Sequence, residues 1–377
     1  MIENIYLMRE VFLMNLENKK WKEFNFTDIF DIKGGYYNKK PKLEKNGNIP
    51  FIGAVDNSNG ITEFYSIENI DDSSKTGNGN NHTIDKKIFK GNCICVTNNG
   101  SVGYAYYQLQ YFTCSHDVNP LYLKNYILSK DLAMFIIGSI EKQRVCFQYS
   151  RKWRPKRMVK SKILLPVNKD DEPDYKYMEE YTKSKINAKK EEYKRYAQKK
   201  LDELVYEEVE PLENKEWKEY FVTDIFDVIK RGKRLTKSNQ ENGNMPYISS
   251  TGSNNGIDNF IGNNKDVRIF NNCLTIANSG SVGSSFYHPY AFIGSDHVTG
   301  LKKDCMSEYE YMFISTLTNR FSEKYNFNRE INDSRISREK ILLPMDENEK
   351  PDHGYMKQYM INMIHRKLTQ YLKYSKN

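Results

Sequence analysis

The sequence predicts an α+β protein: two tandem β-rich domains, each followed by a long helix, with the two helices packing as an antiparallel coiled-coil spacer. Three observations predict it. Six blocks of sequence occur twice, in the same order. The front of each copy consists of short aromatic and β-branched runs punctuated by Gly and Asn, as expected of strands joined by tight turns. Each copy then closes on a charged stretch without Gly or Pro whose apolar residues recur at helical spacing.

The repeat sets the domain plan. WKEFNFTDIFDI at 21–32 returns as WKEYFVTDIFDV at 217–228, and NIPFIGAVDNSNGI at 48–61 as NMPYISSTGSNNGI at 244–257. CICVTNNGSVG at 93–103 matches CLTIANSGSVG at 273–283, and CSHDV at 114–118 matches GSDHV at 294–298. SKILLPV at 161–167 matches EKILLPM at 339–345, and PDYKYMEEY at 173–181 matches PDHGYMKQY at 351–359. The offset narrows from 196 to 180 to 178 residues, so only loops differ in length. The 377-residue chain therefore holds two copies of a unit of roughly 180–190 residues, each the size of one domain. The expected divisions are an N-terminal extension or short helix at 1–16, a first globe at 17–172, a helix at 173–210, a second globe at 211–350 and a second helix at 351–377. The opening MIENIYLMREVFLMNLENKK lacks the apolar core of a signal peptide, and translation from Met1 or Met14 fits it equally well.

Within each globe, FIGAVDNSNG, CICVTNNGSVG and AYYQLQYFTC, and their counterparts YISSTGSNNG, CLTIANSGSVG and SSFYHPYAFIG, read as strands and hairpin turns. The GSVG tetramer resembles the backbone-clamping loop of KH domains, but β-runs rather than helices flank it, so it reads as a turn whose glycines supply positive φ. Residues 174–208 read as a helix of ~50 Å, with Met178, Tyr181, Ile186, Tyr193, Ala197, Leu201 and Leu204 on its apolar stripe. Residues 355–374 repeat the pattern with Met356, Met360, Met363, Ile364, Leu368, Tyr371 and Leu372. Pro173-Asp174 and Pro351-Asp352 sit where those helices should start. With narrow stripes and charged outer faces, the two helices are expected to pack on each other.

Tyrosine (28) and phenylalanine (19) supply much of the apolar mass, so the cores should be aromatic. The net charge of +8 suits a polyanionic partner without specifying one. No apolar run reaches the ~18 residues of a membrane span. The six cysteines form no CxxC and read as reduced, mostly buried thiols in a cytoplasm; Cys93 and Cys95 should share one strand face.

Catalytic signatures are missing. The chain has no GxxxxGK[ST], no GxGxxG after a strand, no HExxH and no GxSxG. Asn119-Pro120-Leu121-Tyr122 approximates the Asn-Pro-Pro-Tyr of amino-methyltransferases, but lacks the second proline and any cofactor loop; the other copy has Thr299-Gly300-Leu301-Lys302. Pro173-Asp174 with Glu192-Tyr193-Lys194 mimics a nuclease core, yet the second part lies in a helix and has no equivalent in the other copy. His116-Asp117 appears reversed as Asp296-His297, which argues against a shared acid–base role.

Basic, aromatic and amide residues recur instead at matching places. The segment 33–42 offers Tyr37, Asn38, Lys39, Lys40 and Lys42, and 230–237 offers Arg231, Lys233, Arg234 and Lys237. The run 151–160 carries Arg151, Lys152, Arg154, Lys156 and Arg157 around Trp153, and 329–338 carries Arg329, Arg335 and Arg338. Cations there suit phosphates, and Arg, Asn and Gln suit base edges. Asn57, Asn59, Asn254 and Asn255 in the Asn-Gly turns are candidates for reading adenine, although Asn-Gly is also the commonest hairpin turn.

The WKEF…DIFDI opening, the NGI block, the GSVG hairpin, the ILLP block and the following helix together resemble the specificity (S) subunits of type I and type IIB restriction–modification systems, over about residues 17–377. The resemblance implies two target-recognition domains, each reading half of an asymmetric bipartite DNA site. It implies helices that set the spacer and dock methyltransferase subunits or a fused nuclease–methyltransferase chain. It implies no cofactor in this chain, with S-adenosylmethionine and Mg²⁺, and ATP as a further candidate, in the partner subunits. The Glu-Gln pair frequent in that family after the Leu-Pro block is absent, which looks more like type IIB. The alternatives are a self-contained DNA-modifying or DNA-cleaving enzyme and, more weakly, a carbohydrate- or protein-binding pair of β-modules.

Overall fold

The computed structural model describes residues 16–42, 47–77, 82–147, 151–326 and 328–375, so nearly all of the expected N-terminal extension lies outside the described residues. The chain divides into two compact units with the boundary between Glu192 and Tyr193.

The first unit holds, in chain order, β1 (Trp21–Asn25), α1 (Phe26–Ile29), β2 (Phe30–Ile32), β3 (Ile49–Ile52), β4 (Ile61–Tyr65), α2 (Ile67–Asp72), β5 (Cys93–Thr97), β6 (Ala105–Gln108), β7 (Thr113–Cys114), β8 (Val118–Leu123), α3 (Lys130–Glu141), α4 (Pro155–Met158), β9 (Lys162–Pro166) and the start of the long α5 (Tyr175–Glu203), whose residues from Tyr193 on belong to the second unit. They form an antiparallel β1–β9 ladder, a four-stranded sheet in the order β2-β8-β5-β6 and a three-stranded sheet in the order β4-β3-β7. The ladder sets Trp21 opposite Pro166, so the first and last strands close the globe before the chain enters the helix.

Strand β5 is buried along its whole length because both faces of its sheet are covered. Ile94 and Val96 join Phe26, Leu132, Ile136 and Trp153 in the main core. Cys93 and Cys95, on the other face as the alternation requires, pack with Ile52, Phe112, Cys114 and Val118. Burial raises the Cys95 and Cys114 thiols above their usual range, while Cys146 and Cys305 are exposed. Helix α3, which the strand-centred reading of the globes passed over, follows from its own local signals. The Ser129 hydroxyl caps it by accepting from the Leu132 amide (3.2 Å). Leu132, Ala133, Ile136 and Ile140 form its buried face, each Leu or Ile worth about 1.5–3 kcal/mol of burial.

The second unit holds β10 (Trp217–Phe221), α6 (Val222–Ile225), β11 (Val228–Arg231), β12 (Asn242–Ile248), β13 (Ile257–Ile261), β14 (Ile269–Phe270), β15 (Cys273–Ala277), β16 (Ser285–His288), β17 (Phe292–Gly294), β18 (Val298–Lys302), α7 (Glu308–Thr318), α8 (Phe321–Lys324), α9 (Asp333–Ile336), β19 (Lys340–Pro344) and α10 (His353–Tyr374). Its sheets repeat the plan: β10-β19, β11-β18-β15-β16 and β13-β12-β17-β14. Trp217 lies opposite Pro344, as Trp21 lies opposite Pro166. The extra edge strand β14 stands where the first unit has only a Phe89–Phe112 bridge.

The helix stripes divide in a way their periodicity does not announce. Met178 is fully buried in the first core, and Tyr181 meets Phe135 edge-on at 5.8 Å. Met356 and Met360 belong likewise to the second core. These four residues anchor helix starts to globes and do not pack helix on helix. Ile186 and Met363 are half-buried. The pairing itself lies within the second unit, where Ala197, Leu201 and Leu204 pack with Ile361, Ile364, Leu368, Tyr371 and Leu372. Tyr193 meets Tyr371 at 4.7 Å, whereas Val205 receives Gln358, so the two segments run antiparallel. Helix α5 stops at Glu203, short of the expected 208. The chain beyond it is held by α10 side chains: Gln358 Nε2 donates to the Val205 carbonyl (2.8 Å), and Asn362 Nδ2 to the Glu207 carbonyl (2.5 Å).

His288 is fully buried on β16, at the position Gln108 occupies on β6; each stands opposite a cysteine of the neighbouring strand. Burial pushes its imidazole down to about 4. The unfolded chain binds that proton near pH 6.5, so folding stability declines as pH falls from about 6.5 towards 4, with a limit of about 3 kcal/mol from this group. His288→Gln should flatten the pH dependence of the unfolding midpoint between pH 7 and 4.5. A variant that keeps the wild-type slope would assign the acid sensitivity elsewhere.

Candidate nucleic-acid interface

A buried asparagine organises the candidate surface of each unit. Asn98 follows β5 at the start of the GSVG hairpin and is 1% exposed. Its amide donates to the Asp117 carbonyl (2.8 Å), and its carbonyl accepts from the Trp153 amide (3.1 Å). Its Nδ2 donates to Asn119 Oδ1 (2.6 Å) and to the His116 carbonyl (3.1 Å). Asn119 Nδ2 in turn donates to the Lys33 carbonyl (2.8 Å). Asn98 and Asn119 together thus link the hairpin, the turn before β8, the basic run at 151–160 and the start of the basic segment at 33–42. Asn278 repeats the backbone part of the arrangement, while its Nδ2 is buried without a hydrogen-bond partner among the described residues. Its amide donates to the His297 carbonyl (2.8 Å), its carbonyl accepts from the Ile331 amide (3.0 Å), and its Oδ1 accepts from the Thr299 hydroxyl (2.9 Å).

The GSVG segments form the hairpin turns, with Gly100, Gly103, Gly280 and Gly283 all at positive φ. The Asn-Gly turns lean on them: Ser101 donates to the Ala54 carbonyl (3.4 Å) and Ser281 to the Ser250 carbonyl (3.0 Å). Asn59, Asn254 and Asn255 adopt left-handed backbone angles, which Asn tolerates better than other residues. Asn59 Nδ2 donates to the Tyr107 carbonyl (3.2 Å) and fastens its turn to β6. Asn57, Asn254 and Asn255 are exposed. His116 and His297 serve as local anchors: His116 contacts the Tyr37 carbonyl through Nδ1 (3.1 Å), and His297 Nδ1 the Ser279 hydroxyl (2.6 Å).

The basic run at 151–160 is pinned by Trp153, which is fully buried. Its indole donates to Ser161 Oγ (2.9 Å) and stacks on Phe147 at 4.5 Å. Arg151, Arg154, Lys156 and Arg157 stay exposed around it. Arg157 donates to the Lys152 carbonyl (2.6 Å), whereas Arg154 and Lys156 make no side-chain hydrogen bond or ion pair among the described residues. In the second unit Ile331 takes the place of Trp153. Arg329 lies over Tyr325 (5.2 Å), Arg335 donates to the Glu330 carbonyl (2.5 Å), and Arg338 is exposed.

The front basic segments divide more sharply. Tyr37 is 1% exposed and its hydroxyl donates to the Ile70 carbonyl (3.0 Å), so it is a core residue unavailable to a ligand. Lys40 pairs with Glu63 (2.8 Å), Lys233 with Asp266 (2.9 Å) and Arg231 with Asp333 (3.1 Å). Asn38, Lys39, Lys42, Arg234 and Lys237 are exposed. Asn38 and Lys39 donate their backbone amides to the Lys75 carbonyl, just past the end of α2. Sequence reasoning missed the anchoring roles of Asn98 and Asn278. Their recurrence inside the GSVG block was a signal; their burial was not legible.

The pattern of the type I restriction modification DNA specificity domain matches residues 18–195 and again 214–374. The specificity subunit of the type II restriction enzyme BcgI from Heyndrickxia coagulans is 29% identical over 347 residues, 91% of this chain and 94% of that protein. A putative type I specificity subunit from Mycoplasma pneumoniae is 24% identical over 278 residues, covering 72% and 70%. The crystal structure of a type I S subunit from M. genitalium covers 95% of this chain and 93% of its own, at 17% identity and a TM-score of 0.44. With the domain pattern filling most of the chain, in two copies that coincide with the two repeats, the protein belongs to the type I restriction–modification DNA specificity family.

Proposed function

We propose that the chain is the non-catalytic, sequence-specific DNA-recognition subunit of a restriction–modification complex, in which each unit reads one half of a bipartite site. The observation that carries this is one framework repeated in both units: the backbone of Asn98 and of Asn278 bonds the turn before the next strand and the basic run, and each GSVG hairpin bonds the neighbouring Asn-Gly turn. Exposed cations and exposed amides carried on such a fixed framework suit phosphate positioning together with base readout. The loops differ between the units, which supports an asymmetric site. The helices are taken to set the spacing of the halves and to dock methyltransferase subunits or a fused nuclease–methyltransferase chain, with S-adenosylmethionine and Mg²⁺ held there. The resemblance to the specificity subunit of a type II restriction enzyme along 91% of the chain supports a type II rather than a type I complex. Among the described residues no helix is long and apolar enough to cross a membrane, and the proposed place of action is the cytoplasm.

Methylome sequencing of cells with and without the gene should reveal one bipartite motif that depends on it. Methylation at random sequence, or catalysis by the purified chain alone with methyl donor or Mg²⁺, would overturn the reading. Arg154→Ala should weaken binding to all duplexes and reduce the slope of log affinity against log salt by about 1. An unchanged slope removes the 151–160 run from the interface. Arg157→Ala mixes this with loss of its bond to the Lys152 carbonyl, so Arg154 is the cleaner test. Tyr37→Phe should cost about 1 kcal/mol of stability and leave DNA affinity unchanged.

A further inference from the structure

Arg144 was not singled out by any motif, and the described fold leaves its guanidinium without polar partners. It lies flat on the Tyr104 ring, with Cζ 3.5 Å from the ring centroid, a pre-organised geometry for a planar cation. Gly103 makes room for it: this residue sits at φ +82°, and a Cβ there would come within 2.7 Å of Arg144 Cγ. The arginine is half-buried, and its Nε is buried with no hydrogen-bond partner. The Glu141 carboxylate nearby already accepts from the Ala105 amide (3.1 Å). The position is also apt, because Arg144 rests on the GSVG hairpin that carries Asn98 and faces the Asn-Gly turn through Ser101. Phe147, three residues on, carries Arg151 (5.8 Å) and stacks on Trp153.

The second unit lacks this device. Ser284 stands at the position of Tyr104, and beside Gly283 lie Phe321 and Ser322 instead of an arginine. We propose that Arg144 reads a guanine in the half-site bound by the first unit, its fork donating to O6 and N7 in the major groove. A guanidinium held on an aromatic ring beside the hairpin presents its planar fork in one orientation, as bidentate recognition of a single base edge requires. This assignment rests on the DNA-recognition reading above.

The test is selection of duplexes from a random library by the full chain together with its modification partner, for wild type, Arg144→Gln and Arg144→Lys. Wild type should recover a bipartite motif. Arg144→Gln should lose preference for guanine at one position of one half by roughly 10- to 100-fold, with the other half and the thermal unfolding midpoint unchanged. Arg144→Lys should lose the same preference despite keeping the charge. An unchanged motif, or a loss uniform over all sequences that Lys restores, overturns the guanine assignment alone. If wild type selects no sequence, the DNA reading falls and the assignment falls with it.

Discussion

The surface of each unit depends on one buried hydrogen-bonded asparagine. Asn98 and Asn278 sit where a central strand ends, and each joins loops that come from distant parts of the chain. A buried amide is expensive to leave unpaired; Asn98 Nδ2 meets that demand with two acceptors, and in both units the asparagine's backbone groups hold the same loops in one arrangement. That is the physical means by which a set of turns and basic runs, mobile if independent, becomes a fixed surface.

The two units keep this skeleton and change what fills it. Trp153 gives way to Ile331, Asn119 to Thr299, Gln108 to His288 and Tyr104 to Ser284. The first two exchanges preserve the bond to the asparagine, because the Trp153 and Ile331 amides both donate to its carbonyl and Asn119 and Thr299 both meet its side chain. The third replaces an amide that reaches the Asn59 carbonyl (2.9 Å) with a neutral imidazole. The fourth removes the ring on which Arg144 lies. Duplication thus supplied one scaffold, and substitutions at loop-facing positions gave each half its own chemistry.

The helices illustrate why periodicity alone misled. Met178 and Ala197 lie on one apolar stripe of α5, yet Met178 fills a globe core and Ala197 packs against α10. A stripe reports that a face is covered but not by what. The same holds for the basic segments: Tyr37 and Lys39 are two residues apart in a run that reads as surface throughout, and one is sealed in the core while the other is exposed.

By itself the sequence determined the duplication, the strand-then-helix order of each copy, the GSVG hairpins and the absence of known catalytic signatures, because these depend on local spacing and residue type. Only the tertiary structure decided which cations are free, which aromatics are core, where the helix pair begins and that Arg144 stacks beside the hairpin. Those outcomes depend on groups far apart in the chain, as when Glu63 neutralises Lys40 or Tyr104 receives Arg144. No local pattern encodes a partner that only folding brings near.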